Sequence, residues 1–196
     1  MHFGFPVCRA VVAFGVAAFV AGCGGGGGGG SLQEGGATQT GDTVSTTRTV
    51  EGLRFTATSR AVYSTTEPVT VTLTVENTTG TPISYVKPNC GNGLPRAAVR
   101  NENGEVVTTI SAVGGSGQGC AGPPAPSTFS PGQTQTYTLI WTQPDYSPAK
   151  SDGSVPPLPA GTYRINPTVP FFSIGGRQFL TADPAPGPDP LTVTVR

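Results

Sequence analysis

The chain has 196 residues, with eleven Lys plus Arg balanced by eleven Asp plus Glu. This neutral, scattered charge contains no basic cluster and argues against nucleic acid as a partner. The single histidine is His2; a chain that loses its N-terminal segment keeps none. That argues against Ser-His-Asp and Cys-His catalysis and histidine-ligated zinc. The expectation is a protein that is not an enzyme, with no metal and no cofactor.

Met1 to Arg9 carries one basic side chain, Arg9, and Ala10 to Val20 is apolar and uncharged. The run has signal-peptide length and falls short of the ~20 apolar residues that span a bilayer. Val20-Ala21-Gly22-Cys23 follows, then seven glycines, Gly24 to Gly30. This stretch resembles the lipobox of bacterial lipoproteins, in which a diacylglycerol is attached to the cysteine thiol and the signal is cut just before it. The resemblance implies a signal peptide at 1–22, a lipid on Cys23, a membrane as partner and a place in the bacterial cell envelope. The plainer alternative is a secretory signal with a cysteine nearby. Residues 23–47 are rich in Gly, Ser and Thr and have almost no apolar content, so a flexible tether is expected there. One domain is then expected at 48–196.

The domain contains many Thr/Val alternations, and the whole chain has 29 Gly and 20 Pro, a pattern of strands separated by turns. Leu53, Phe55 and Ala57 predict a first strand near 52–58, and Val62-Tyr63 a short strand or bend. Val69, Val71, Leu73 and Val75 alternate with polar residues after Pro68 and predict a half-buried strand. Asn77-Thr78-Thr79-Gly80 supplies a turn, and Ile83 and Tyr85 are expected to return as the partner of that strand. Arg96 to Arg100 and Glu105 to Ile110 flank Asn101-Glu102-Asn103-Gly104, another hairpin signal. Ser111 to Ser127 is expected to be a long loop. Ser130-Pro131-Gly132 is a turn, after which Tyr137, Leu139 and Trp141 form an inward face. Pro144 to Pro159 is a second long loop. Tyr163 and Ile165 point inward on the next strand, and Gly161-Thr162-Tyr163 has the spacing of a tyrosine corner. Ile174-Gly175-Gly176-Arg177 predicts a two-residue hairpin turn, Ala182 to Pro190 an extended proline-rich connection, and Leu191, Val193 and Val195 a closing strand. These elements predict an all-β, immunoglobulin-like Greek-key sandwich of about eight or nine strands.

Four cysteines are present. Cys8 leaves with the signal and Cys23 takes the lipid, so Cys90 and Cys120 remain as a pair in an oxidising compartment. A disulfide between them would close a loop of about 30 residues and stabilise the fold by ~3 to 4 kcal/mol in the chain-entropy model. The loop after Pro144 holds the candidate binding residues: Tyr146, with Asp145, Lys150 and Asp152 beside it. An aromatic between prolines suits protein recognition. Packing of Tyr146 onto its own loop stays open as the structural alternative.

Four blocks, EPVTVTLTVENTTGTPISY (67–85), VRNENGEVV (99–107), FSPGQTQTYTLIWTQ (129–143) and LPAGTYRI (158–165), resemble in kind and order the intracellular proteinase inhibitor domain known as BsuPI. The resemblance covers about Leu53 to Ile165 and implies an immunoglobulin-like sandwich that binds a serine proteinase of the subtilisin type. The chain departs from the family pattern at Val107-Thr108-Thr109, where an aromatic is usual, and in the added Cys90/Cys120 pair. No inhibitory residue matches a position here. Two functions are therefore expected: a membrane-anchored protein-binding domain acting as a proteinase inhibitor, or a non-inhibitory Ig-like module for envelope assembly or adhesion.

Overall fold

The computed structural model describes residues 36–87, 93–113, 123–142, 159–171, 173–179 and 185–196. Fourteen strands and no α-helix occur among them. The first sheet runs β1 (Ala37–Thr40), β2 (Thr43–Val50), β3 (Leu53–Arg60), β5 (Val69–Asn77), β10 (Thr134–Trp141) in that spatial order. The second runs β4 (Val62–Tyr63), β14 (Leu191–Val195), β11 (Gly161–Thr168), β7 (Arg96–Arg100), β8 (Val106–Ser111). A third holds β13 (Arg177–Gln178), β12 (Ser173–Ile174), β6 (Ile83–Lys87) and β9 (Ala125–Phe129). Neighbours are antiparallel except β4 and β14, which run parallel. An Ala112–Leu139 bridge, with Val113 N–H donating to Thr138 O at 2.8 Å, joins the end of β8 to β10.

Period-two alternation builds this all-β sandwich. Leu53, Phe55 and Ala57 on β3, Val69, Val71, Leu73 and Val75 on β5, and Leu139 and Trp141 on β10 are all fully buried. Ile165, Leu191 and Val193 meet them from the second sheet. Trp141 stands edge-on to Tyr163, with ring centroids 5.2 Å apart. Towards the other end of the first sheet Phe55 meets Phe171, which also contacts Tyr85 and Phe129 of the third sheet. Tyr137 shares the inward row of β10 but is only partly buried, and its hydroxyl donates to Gln135 Oε1 at 2.6 Å.

Several expectations are corrected. The domain begins well before residue 48, because β1 and β2 occupy part of the expected tether. Thr43 to Thr47 pair with β3 from Arg60 to Thr56. Threonine is a strong strand former on a half-buried surface, and this strand needs few apolar residues because a hydrophobic neighbour carries the core. Ile83 to Lys87 do not return to β5. That strand's neighbours are β3 and β10, whereas β6 pairs with β9 and β12 in the third sheet. The expected 111–127 loop ends early, since β9 starts at Ala125. The strand count exceeds eight or nine because β1 and β2 lie in the expected tether and β9 in the expected loop, and because β4, β12 and β13 count as strands with two residues each.

One turn and one close approach follow from glycine. Gly175 and Gly176 have φ of 57° and 88°, the doubly positive pair that a two-residue hairpin turn requires. Gly187 sits at a close approach: a Cβ there would lie 2.2 Å from Pro167 O. The end of the proline-rich connection is therefore core rather than surface, with Pro186, Gly187 and Pro188 buried and Pro186 O accepting from Val169 N–H at 2.8 Å.

Trp141 is the only tryptophan and is fully buried. Trp141→Ala should destabilise the domain by ~3 to 5 kcal/mol, read as a lower denaturant midpoint with unchanged slope. Among the described residues the indole N–H has no hydrogen-bond partner, so Trp141→Phe, which removes only that group and part of the ring, should cost clearly less. Equal losses for the two variants would contradict this packing.

Candidate functional site

Strand register brings a defined set of connections to one end of the sandwich. Thr43 lies opposite Arg60, Val69 opposite Trp141, Arg164 opposite Arg100, and Val195 lies between Gly161 and Tyr63. The β1–β2 turn, the β3–β4–β5 crossing, the β7–β8 turn, the stems at Thr142 and Pro159, and Arg196 therefore share this end. Cys23, Cys90, Cys120, Asp145, Tyr146, Lys150 and Asp152 lie outside the described residues. The stems on either side of the candidate loop place its departure and return at the same end.

An open cleft of about 530 Å³ lies there, lined by Asp42, Arg60, Tyr63, Glu67 and Arg196 among others. Arg60 grips both oxygens of Glu67, at 2.6 and 2.8 Å, and its guanidinium carbon lies 4.7 Å from the centroid of the Tyr63 ring. The hydrogen bond to Glu67 raises the Arg60 pKa, and the same bond from Arg60 lowers that of Glu67. The Glu67 contribution to stability is present above the ordinary carboxylate pKa and is lost as pH falls through its lowered value. The pair is solvated, so it sets shape more than stability. Tyr63 is held from behind: its hydroxyl donates to Thr70 O at 3.1 Å and accepts from Arg60 N–H and Thr70 N–H, both at 3.3 Å.

A second cleft of about 290 Å³ lies between the β7–β8 turn and the start of β11. Glu102 reaches across it and accepts the Thr162 N–H at 3.0 Å. Asn101 organises the turn, donating to Glu105 Oε2 at 2.7 Å and accepting Glu105 N–H at 2.9 Å. The tyrosine corner is formed: Tyr163 donates to Pro159 O at 2.7 Å. Burial, then the nearby Glu102 carboxylate, raises the Tyr163 pKa, which keeps the hydroxyl a donor.

Sequence spacing points to neither cleft. Arg60, Tyr63 and Glu67 meet because the chain crosses between sheets after Arg60, and Glu102 meets Thr162 across sixty positions. This end presents a solvated Arg60–Glu67 pair, the Glu102 carboxylate and the ring of Tyr63 under Arg60. Among the described residues no cluster of three His, Cys, Asp or Glu side chains suits a metal ion.

No family model and no curated protein matches the chain. Among solved structures, a β-glucosidase from Erythrobacter marinus is 13% identical with a TM-score of 0.36, over 70% of this chain and 14% of that one. The β-glucosidase of Listeria innocua with isofagomine is 11% identical with a TM-score of 0.40, over 73% and 16%. The β-D-glucoside glucohydrolase of Trichoderma reesei is 16% identical with a TM-score of 0.32, over 68% and 15%. The chain spans less than a fifth of each, and at these scores the likeness carries no inference about glucosidase chemistry.

The tyrosine corner yields a direct expectation. Tyr163→Phe removes one partly buried hydrogen bond and should cost ~1 kcal/mol, measured by denaturant unfolding. A loss indistinguishable from zero would mean that the Pro159 carbonyl is equally well served by water.

Proposed function

We propose that this protein is a bacterial envelope lipoprotein, held on a membrane by lipid on Cys23, whose sandwich binds another protein. A subtilisin-like serine proteinase is the first partner to test. The observation that supports this reading is the relation between anchor and loops. β1 runs from Ala37 to Thr40 towards the end that carries the two clefts and the stems of the candidate loop. The described chain therefore begins at the end opposite the clefts, the side on which a tether from Cys23 would join the domain. Loops on a rigid frame are where binding residues concentrate, and prolines flanking 144–157 reduce the entropy lost when that loop is fixed by a partner. The BsuPI-like blocks supply the proteinase as candidate. A non-inhibitory Ig-like module for assembly or adhesion would use the same end without blocking an active site.

Acylation is tested by mass spectrometry of the mature N-terminus, which should show a lipidated Cys23. Cys23→Ser should release the protein from membranes, because each buried methylene of an acyl chain contributes ~0.8 kcal/mol. An unmodified N-terminus at another residue rejects the anchor.

Binding is tested by titrating the protein against subtilisin-like proteinases. Inhibition should be saturable, and Tyr146→Ala combined with Lys150→Ala should abolish it while leaving the melting temperature nearly unchanged. Retained inhibition in the double variant moves the contact surface elsewhere. No inhibition of any such proteinase, alongside retained capture of an envelope protein, favours the non-inhibitory module.

A further inference from the structure

Charged residues are scattered along the chain, and strand register gathers some of them. The strands of the second sheet contain three arginines and no Asp, Glu or Lys. Ala97 and Val99 on β7 and Tyr163 and Ile165 on β11 are buried, so Arg96, Ala98, Arg100 and Arg164 stand on the outer face. Arg164 lies directly opposite Arg100. Their row runs Thr192, Arg164, Arg100, Val106 across β14, β11, β7 and β8. The next row along, Asn166, Ala98 and Thr109, is uncharged, and Arg96 stands in the one after it, between Thr168 and Ser111.

The first sheet arranges its outward charge in the opposite way. There Arg54 faces Glu76 across strands, and the two form an ion pair at 2.6 Å. Arg100 and Arg164 face each other instead, and like charges directly opposite repel. Arg100 donates from Nη1 to Gly104 O at 2.7 Å, which uses one donor of a fork that carries several. Among the described residues the guanidinium of Arg164 has neither an ion pair nor a hydrogen-bond acceptor. The acids of the adjoining β7–β8 turn are engaged elsewhere, Glu102 with Thr162 N–H and Glu105 with the Asn101 amide. The small side chain of Ala98 in the next row leaves the guanidinium groups open to a ligand from above.

We propose that the outer face at Arg100 and Arg164 docks an acidic, extended segment of a partner polypeptide, one carboxylate on each guanidinium. The proposal rests on the reading of the domain as a protein-binding module and names the charge of the partner. Adjacent strands lie about 4.8 Å apart, and alternate residues of an extended segment lie about 6.6 Å apart on one face. A segment that crosses the strands therefore brings acids at alternate positions over both arginines, within the reach of their long side chains. Planar guanidinium forks take carboxylates in bidentate pairs, and the bound anions relieve the repulsion between the forks. Arg100 ends β7 and Arg164 lies opposite it, so the pair adjoins the end that carries both clefts and the loop stems. A membrane surface rewards a broad field of basic charge, whereas this pair is confined to one row beside an uncharged one.

The test uses the full-length chain and the blocked peptide acetyl-Thr-Glu-Thr-Glu-Thr-amide, followed by NMR at the arginine side chains. The peptide should shift the Nε–H signals of Arg100 and Arg164 along one saturable curve, and the same peptide with Gln for Glu should not. Raising salt from about 0.1 to about 1 M, which shortens the screening length from about 10 to about 3 Å, should weaken binding about tenfold or more. Arg100→Gln combined with Arg164→Gln should abolish it. Arg164→Glu should abolish it too while leaving the melting temperature no lower, because the row then holds opposite charges. Equal shifts with the Gln peptide, or unchanged binding by the double variant, overturn the proposal. Absence of peptide binding, with arginine-dependent binding of phosphatidylglycerol vesicles by the Cys23→Ser chain, overturns it in favour of a lipid surface. A partner protein bound with unchanged affinity by the double variant also overturns it and leaves the protein-binding reading intact. Peptide binding by a chain that inhibits no proteinase and lacks lipid on Cys23 supports the acidic docking face and removes the anchored-inhibitor reading.

Discussion

The architecture turns on one buried amide. Asn77 is fully buried at the point where the chain leaves the first sheet, and a buried amide without partners costs several kcal/mol. Its Nδ2 donates to Thr81 O at 2.8 Å and to Phe129 O at 3.0 Å, and its Oδ1 accepts from Thr79 N–H at 2.9 Å. Its backbone donates to Gln133 O and accepts from Gly132 N–H, both at 3.0 Å. These bonds can be made together only if β5 ends there, the chain crosses, and β9 and its turn to β10 come alongside. The side chain that ends one sheet thus begins another and fixes where β6 and β10 lie. A hydrophobic residue at 77 would continue the alternation of β5 but leave those carbonyls without their donor.

That role explains what the sequence made readable. The inward rows of β3, β5, β10, β11 and β14 follow from alternation, because a face is a property of one strand. The turns at Asn101 to Gly104 and at Gly175-Gly176 follow from local dihedral demands. Pairing is different, since an edge belongs to two strands. Ile83 and Tyr85 look like the return arm of a hairpin after Asn77-Thr78-Thr79-Gly80, yet they belong to the third sheet. β2 was hidden for a related reason. Its Thr-Val-Ser-Thr-Thr-Arg-Thr-Val sequence has few apolar residues, because β3 beside it and the sheet opposite carry the burial. The two clefts depend on register and crossings, which no local pattern encodes.

The frame also separates the buried core from the charged groups at one end. The fully buried side chains lie on inward rows, whereas Arg60, Glu67, Glu102 and Arg196 gather where strands end. Sequence change at that end can alter charge and shape without reaching Phe55, Trp141 or Ile165. The tyrosine corner has an intermediate part. It ties Pro159 to β11, so the entry to that strand is held by a hydrogen bond from Tyr163.

The partly uncovered edge of β14 follows from the same economy of crossings. β3 and β4 are consecutive, yet they lie in different sheets, and the chain passes between them in the single step from Arg60 to Val62. So short a crossing lets β4 reach only the last two residues of β14. A longer β4 would cover Thr192 but would have to take residues from β3, which needs Ser59 and Arg60 to complete its ladder with β2. The two sheets compete for the same stretch of chain, and the first sheet wins because its ladder there is antiparallel and backed by the fully buried Ala57. What is left over is an edge with its donors and acceptors already aligned by β11 on the other side.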